Sequence, residues 1–355
     1  MAPEPTQLTL ELLPRSRYDV IDVTRRVEDE YGGLLADYPR ALYCSYHTTA
    51  GYLEQSLARR LEHSRQYLDP FIRLFQRLFP PGAEYHHDQL ERREELSDAQ
   101  RAREPKNADS HLTFIGSGLE NCVTYVHRGG TPPVYFIDLD GVVPDGSRTR
   151  RTTVLPYREE RVVGERGLRV PVSDHPIDAL NLRDDRLGIF DELGEWARSA
   201  GIERGRLDLS LAVEESHAGL TVNEYETLLM QNDLAEVLRN PLRFAAAKGR
   251  NILRDPLAVP GKTLSYARYD LVQVFNELMD TFGFRASTVE NLLARVLALP
   301  ASRFLRMKRG VSLLVSGDAA SEPIVCGTYQ SPILVQWKRP RSQVRELEAR
   351  LVELV

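Results

Sequence analysis

Two stretches of this chain close on the same pair of small residues in the same local setting, 168 positions apart, and that echo restricts the fold more than any other feature. Ala41-Leu42-Tyr43-Cys44 is an apolar run of buried-strand type that leads into Ser45-Tyr46-His47-Thr48-Thr49-Ala50-Gly51. Leu209-Ser210-Leu211-Ala212-Val213 leads in the same way into Glu215-Ser216-His217-Ala218-Gly219. The flanking patterns repeat as well. Strands at 8–13 and 18–23 and a helix capped by Thr24 and running to about 35 precede the first stretch; strands at 168–172 and 177–182 and a helix over 189–200 precede the second. After the first come a long helix over 53–79 stopped by Pro80-Pro81-Gly82, a charged segment over 89–103, a helix opening at 107–112 and strands at 121–126, 134–139 and 152–155. After the second come helices over 225–238, 271–282 and 289–299, strands at 311–315 and 333–337, and an amphipathic helix over 342–354. The chain therefore reads as an α+β protein of two tandem units, 1–160 and 161–355. Each is a mixed or antiparallel sheet packed with helices, with Ala50-Gly51 superimposing on Ala218-Gly219.

At 355 residues there is chain enough for two cores. A net charge of −5, with basic and acidic residues interleaved, gives no footprint for nucleic acid. No signal peptide and no membrane-length apolar run are visible, which predicts a cytoplasmic protein with no membrane partner. Cys44, Cys122 and Cys326 lie far apart in sequence and read as reduced core thiols. The histidines are more telling, because six of the eight fall within 81 residues. His47 follows a strand, His87 sits in a loop, His111 near a helix start and His127 after a strand. Side chains in such places can converge on a divalent metal or on phosphate, with backbone N–H groups near Ser110 adding to an anion site. Asp88 and Asp109 either orient an imidazole or cap a helix. Arg128 could bind phosphate in bidentate fashion, whereas the run Arg148-Thr149-Arg150-Arg151 reads as solvated charge. Glu214-Glu215 reads equally as a carboxylate pair or as a strand end facing solvent.

These motifs resemble the YjbQ-like family, whose members are described as having secondary thiamine-phosphate synthase activity. In the first unit the resemblance rests on His47-Thr48-Thr49-Ala50, Tyr85-His86-His87-Asp88, Asn107-Ala108-Asp109-Ser110-His111 and Val126-His127-Arg128-Gly129. In the second it rests on Ala218-Gly219-Leu220-Thr221-Val222-Asn223-Glu224 and Gly327-Thr328-Tyr329-Gln330. The departures are complementary. The first unit has Gln55-Ser56 in place of Asn-Glu and no glutamine turn, while the second has Glu215 in place of the first histidine. The resemblance implies a transferase acting on a small phosphorylated metabolite with release of pyrophosphate, in a homo-oligomer such as a trimer. His47, His87 and His111 would hold a divalent metal (zinc or magnesium) or an anion. His127 and Glu224 would be catalytic, and Thr48, Arg128, Asn223 and Gln330 would bind substrate. A metal-dependent hydrolase and a non-enzymatic metabolite-binding or assembly protein are the competing classes. Because neither unit holds the full set, a pocket shared between them is expected.

Overall fold

The computed structural model describes residues 6–127, 129–143, 146–239, 307–317 and 322–355. The first repeat runs β1 (Leu8–Leu12), β2 (Asp19–Asp22), α1 (Val23–Tyr31), β3 (Arg40–Ser45), β4 (Ala50–Gly51), α2 (Gln55–Arg60), α3 (Arg65–Leu78), α4 (Asp98–Arg101), α5 (Ala108–Ser117), β5 (Cys122–Val126), β6 (Tyr135–Asp138), the small ribbon β7 (Val142–Val143) and β8 (Gly146–Ser147), and β9 (Arg150–Tyr157). The second runs β10 (Glu160–Pro171), β11 (Asp178–Asn181), α6 (Ile189–Ser199), β12 (Arg204–Leu211), β13 (Ala218–Asn223), a π-helical turn Leu228–Asp233 leading into α7 (Leu234–Arg239), β14 (Gly310–Ser316), β15 (Ile324–Val325), β16 (Ser331–Gln336) and β17 (Val344–Leu354).

Strand order shows the duplication directly. The first repeat forms sheets β1-β9-β3-β5 and β2-β6-β4; the second forms β10-β17-β12-β14, with β15 added at the edge, and β11-β16-β13. In each repeat the last strand lies between the first and the third, and every pairing is antiparallel. Ala50 stands opposite Asp138 in the first repeat and Ala218 opposite Gln336 in the second, so the two Ala-Gly pairs occupy the same place. Alternation explains why these segments are strands. β1 buries Leu8, Leu10 and Leu12 and exposes the residues between, as a sheet with one covered face requires. A further apolar cluster, with Leu42, Cys44, Cys122 and Leu155 from the first repeat and Leu314, Val352 and Leu354 from the second, joins the two large sheets.

Compactness cuts across the repeats. One unit, Met1–Arg65 with Gly118–Tyr225 and Met307–Val355, holds every described strand; the other, Gln66–Ser117 with Glu226–Arg306, is helical where described. Among the described residues no helix is long and apolar enough to cross a membrane.

Several elements differ from the sequence expectation. The segment expected as a terminal helix over 342–354 is β17, a central strand paired to both β10 and β12. The single helix expected over 53–79 is two, α2 and α3, separated where Glu62 and His63 take left-handed backbone angles (φ 54° and 49°). Asp22, not Thr24, caps α1, its carboxylate accepting the Arg25 N–H at 3.0 Å. The helices expected over 271–282 and 289–299 lie outside the described residues.

Candidate functional site

The loop that follows β3 is held from several sides. Ser45 Oγ donates to Ala50 O at 2.6 Å and accepts the His47 N–H at 3.3 Å, a hydroxyl turn that folds the segment on itself. Asn121 Nδ2 donates to His47 O at 2.5 Å. The second repeat supplies two more carboxamides. Gln330 Nε2 donates to Ser45 O and His47 O at 2.9 and 3.0 Å, while its Oε1 accepts the Gly327 N–H; Asn223 Nδ2 donates to Thr48 O at 3.0 Å. Both amides are buried. Gly327 packs so tightly that a Cβ there would lie 2.0 Å from Tyr46 O, a position that no side chain can occupy. The turn 327–330 of the second repeat therefore seats against the motif of the first.

On this clamped loop, His47 Nε2 accepts the Arg151 N–H at 2.8 Å. That bond assigns the ring proton to Nδ1, which finds no hydrogen-bond partner among the described residues. Burial, reinforced by the charges of Arg150, Arg148 and Arg151, pushes the imidazole pKa down to about 3, so the ring is neutral. The arginines differ in how far they are compensated. Arg150 is buried and grips Asp138 through Nε and Nη2 at 2.6 and 2.9 Å, with Nη2 also donating to Asp140 O. Arg148 pairs with Asp140, which Arg17 approaches at 3.8 Å. Arg151 is exposed and lies over the Tyr46 ring at 4.7 Å. Among the described residues Arg148 and Arg150 each meet a carboxylate and Arg151 meets none, which leaves the Arg151 charge beside a neutral N–H donor.

The equivalent place in the second repeat is built differently. Glu215 stands where the first repeat has His47, and its Oε1 accepts the N–H of Glu346, one residue into β17 past Arg345, as His47 accepts that of Arg151, one residue past Arg150. Arg345 is buried and fully engaged. Its Nη1 donates to Glu215 Oε2 at 2.6 Å and Ser216 O at 2.8 Å, its Nη2 to Lys338 O at 2.5 Å, and its Nε to Gln336 Oε1 at 3.4 Å. Arg309 Nη1 takes the role of Asn121, donating to Glu215 O at 2.8 Å. Glu215 is therefore a half-buried ion-pair partner of Arg345 and not a strand end facing solvent.

The remaining expected residues are placed as follows. His127 donates from Nδ1 toward Tyr38 O and Leu35 O at 3.0 and 3.2 Å, fastening the connection between α1 and β3, and burial lowers its pKa. Arg128 lies outside the described residues. Thr48 contributes its carbonyl to Asn223, and Glu224 donates its N–H to Asn223 Oδ1. His47 belongs to the β unit and His87 and His111 to the helical one.

Within the helical unit, His87 and His111 pack edge to face, their ring centres 5.3 Å apart. His87 is fully buried, with Nδ1 2.9 Å from Glu226 Oε2 and Nε2 3.3 Å from Asn107 Oδ1. Asp233, in the π-helical turn, accepts the N–H groups of His86 and His87. Burial pushes the Asp88 carboxyl up to about 6, and Asp88 accepts the Ala108 N–H at the start of α5, so it caps that helix. Among the described residues no group of three or more His, Cys, Asp or Glu is arranged to hold a metal ion. The His47 surroundings do not suit a dication, because its Nε2 lone pair is already used and the neighbouring charges are guanidinium.

Sequence reasoning missed Asp138, Glu226, Asp233 and Arg345. Alignment of the two repeats at their last strands would have matched Arg150 with Arg345; Glu226 and Asp233 meet His87 from 139 and 146 positions along the chain, too far to be found that way.

No family model matches the chain, and no curated protein matches it. Solved structures do. A YbjQ-like protein of unknown function from Sulfolobus solfataricus is 16% identical with a TM-score of 0.30, over 55% of this chain and 99% of that one. A hypothetical protein from Aeropyrum pernix is 18% identical (TM-score 0.28; 52% and 96% covered). An uncharacterized conserved protein of the YjbQ family from Clostridium acetobutylicum is 10% identical (TM-score 0.27; 54% and 99% covered). The chain is similar to YjbQ-like proteins. Each of these neighbours is matched over nearly its whole length by about half of this chain.

Proposed function

We propose that the first repeat binds the phosphate group of a small phosphorylated metabolite on the loop 45–50, and that the chain acts on that metabolite as a transferase. The observation that carries the reading is the His47–Arg151 bond, which leaves an imidazole N–H donor beside the charge of Arg151, an arginine that meets no carboxylate among the described residues. A phosphate oxygen would accept from His47 Nδ1 while Arg151 neutralises its charge. The carboxamides of Asn121, Asn223 and Gln330 fix the loop backbone, so the donors need no reorganisation when an anion arrives. The resemblance to a thiamine-phosphate synthase family suggests a reaction in which pyrophosphate leaves, and cationic donors of this kind stabilise such a leaving group. No step in this reading requires a metal.

The test is calorimetric titration with inorganic pyrophosphate, followed by an assay of pyrophosphate release from a pyrimidine pyrophosphate in the presence of a thiazole phosphate. His47→Ala and Arg151→Ala should each weaken binding about tenfold to a hundredfold, the worth of a charge-assisted hydrogen bond. Glu215→Gln should leave binding unchanged. Binding that ignores both first-repeat substitutions sinks the proposal. A second reading, a metabolite-binding protein without turnover, is favoured by the use of Asn223 and Gln330 on backbone carbonyls instead of on a ligand. Tight pyrophosphate binding with no release in the assay would select it.

A further inference from the structure

Cys44 and Cys122 stand directly opposite one another on β3 and β5, with their Sγ atoms 3.0 Å apart. The ladder defines which kind of pair they form. Ser45 N donates to Asn121 O and His127 N to Pro39 O, so the hydrogen-bonded pairs are 45 with 121 and 39 with 127. Counting by twos from either end makes 44 and 122 a non-hydrogen-bonded pair. Such pairs bring Cα atoms to about 4.5 Å, within the span a disulfide bridges, and the sulfurs need close only about 1 Å more. Both thiols are buried and free, in the apolar cluster where the sheets of the two repeats meet.

We propose that Cys44 and Cys122 are a dithiol–disulfide pair that an oxidant such as a hydroperoxide or oxidised glutathione closes across β3 and β5. With hydrogen peroxide, one thiolate attacks a peroxide oxygen and becomes a sulfenic acid as the other oxygen takes up a proton and leaves as water. The second thiol then attacks that sulfur and expels a second water. Two S–H bonds break, one S–S bond forms, and two electrons pass to the peroxide. Entry is through β5, the edge strand of its sheet, whose fraying exposes both sulfurs. Burial, together with the facing Cys44, holds the Cys122 thiol protonated while the strand is closed, so the pair is inert until it opens. The consequence falls on the loop above. The next residue pair is Ser45 with Asn121, and these two side chains hold Ala50 O and His47 O. A crosslink at 44–122 rivets the base on which the His47 loop stands.

The experiment uses the full chain by two routes. Reduced, folded protein is incubated to equilibrium in glutathione buffers of graded potential; separately, reduced and denatured protein is refolded in the same buffers, which removes any barrier of access. Thiols are then alkylated under denaturing conditions and the peptides mapped. The expected result is a fall from three alkylated cysteines to one, a linked peptide joining Cys44 to Cys122, and a higher Tm that reductant reverses. Cys326→Ser should keep the crosslink and the Tm shift, and Cys44→Ser should lose both. Three free thiols after both routes, or a linkage through Cys326, overturns the proposal.

Discussion

The His47 site and its counterpart at Glu215 use one scaffold to opposite ends. In both, the residue before β5 or β14 holds the loop carbonyl, and a backbone N–H of the last strand meets the loop side chain. In both, an arginine at the start of that strand is buried against one carboxylate. What differs is where the carboxylate resides. The first repeat places it on β6 as Asp138 and leaves the loop position to a neutral histidine. The second places it on the loop as Glu215 and has Gln336 at the β6 position. Around these, Arg148 and Arg151 stand in the first repeat, whereas Glu346 takes the place of Arg151 in the second. These exchanges set a closed ion pair in the second repeat where the first has a neutral histidine beside arginines, on the same strand order.

The largest expected effect tests whether the buried arginine of the first repeat depends on its carboxylate. Asp138→Ala strands Arg150 with one carbonyl acceptor and should cost about 3–5 kcal/mol in urea unfolding. Glu215→Ala should cost less, because Arg345 keeps Ser216 O, Lys338 O and Gln336. Equal losses would break the comparison. Next, His47→Glu should weaken pyrophosphate binding about a hundredfold, roughly 2.8 kcal/mol, by setting a carboxylate among the arginines. Adding Asp138→Gln reproduces the second repeat's arrangement, so stability should return while affinity stays lost. If affinity returned too, charge placement would not be the reason for the difference. Gln330→Ala removes two donors from buried carbonyls and should destabilise the chain by about 1–3 kcal/mol, read as a lowered urea midpoint. The smallest expected effect is none. With its pKa near 3, His47 stays neutral, and affinity for sulfate should show no step between about pH 5 and 8. A step centred near the ordinary histidine value would mean that His47 binds anions as imidazolium.

Much of the fold was legible because the repeat carries its own register. The Ala-Gly echo placed β4 over β13, and the alternating segments before it placed the first strands. The terminal strand was not legible for a physical reason. Along β17 the buried positions include Arg345 and Ala349, which are not apolar enough to reveal a period of two. Leu347, Leu351 and Leu354 taken alone fit one face of a helix. At the site, His47 and the two carboxamide positions could be picked out from motifs. The run 148–151 could not be resolved into its parts, because Asp138 and Asp140 reach it through side-chain contacts from outside its own sheet. Glu215 showed itself as a departure from the resemblance, but its partner Arg345 is 130 residues away.

The seat of Gly327 and Gln330 on the loop 45–50 has a consequence for the order of events during synthesis. The residues of a hydrogen bond that completes the loop, Gln330 to Ser45, are separated by 285 positions. At about 5–20 residues per second, the ribosome makes Ser45 roughly 14 to 57 seconds before it makes Gln330. For that interval the first repeat can pair its early strands, but its loop carries carbonyls with no donor from the second. The His47 loop of the N-terminal half is thus finished by the C-terminal half, and a chain truncated before residue 327 would hold every residue of the His47 cluster without the clamp that sets it.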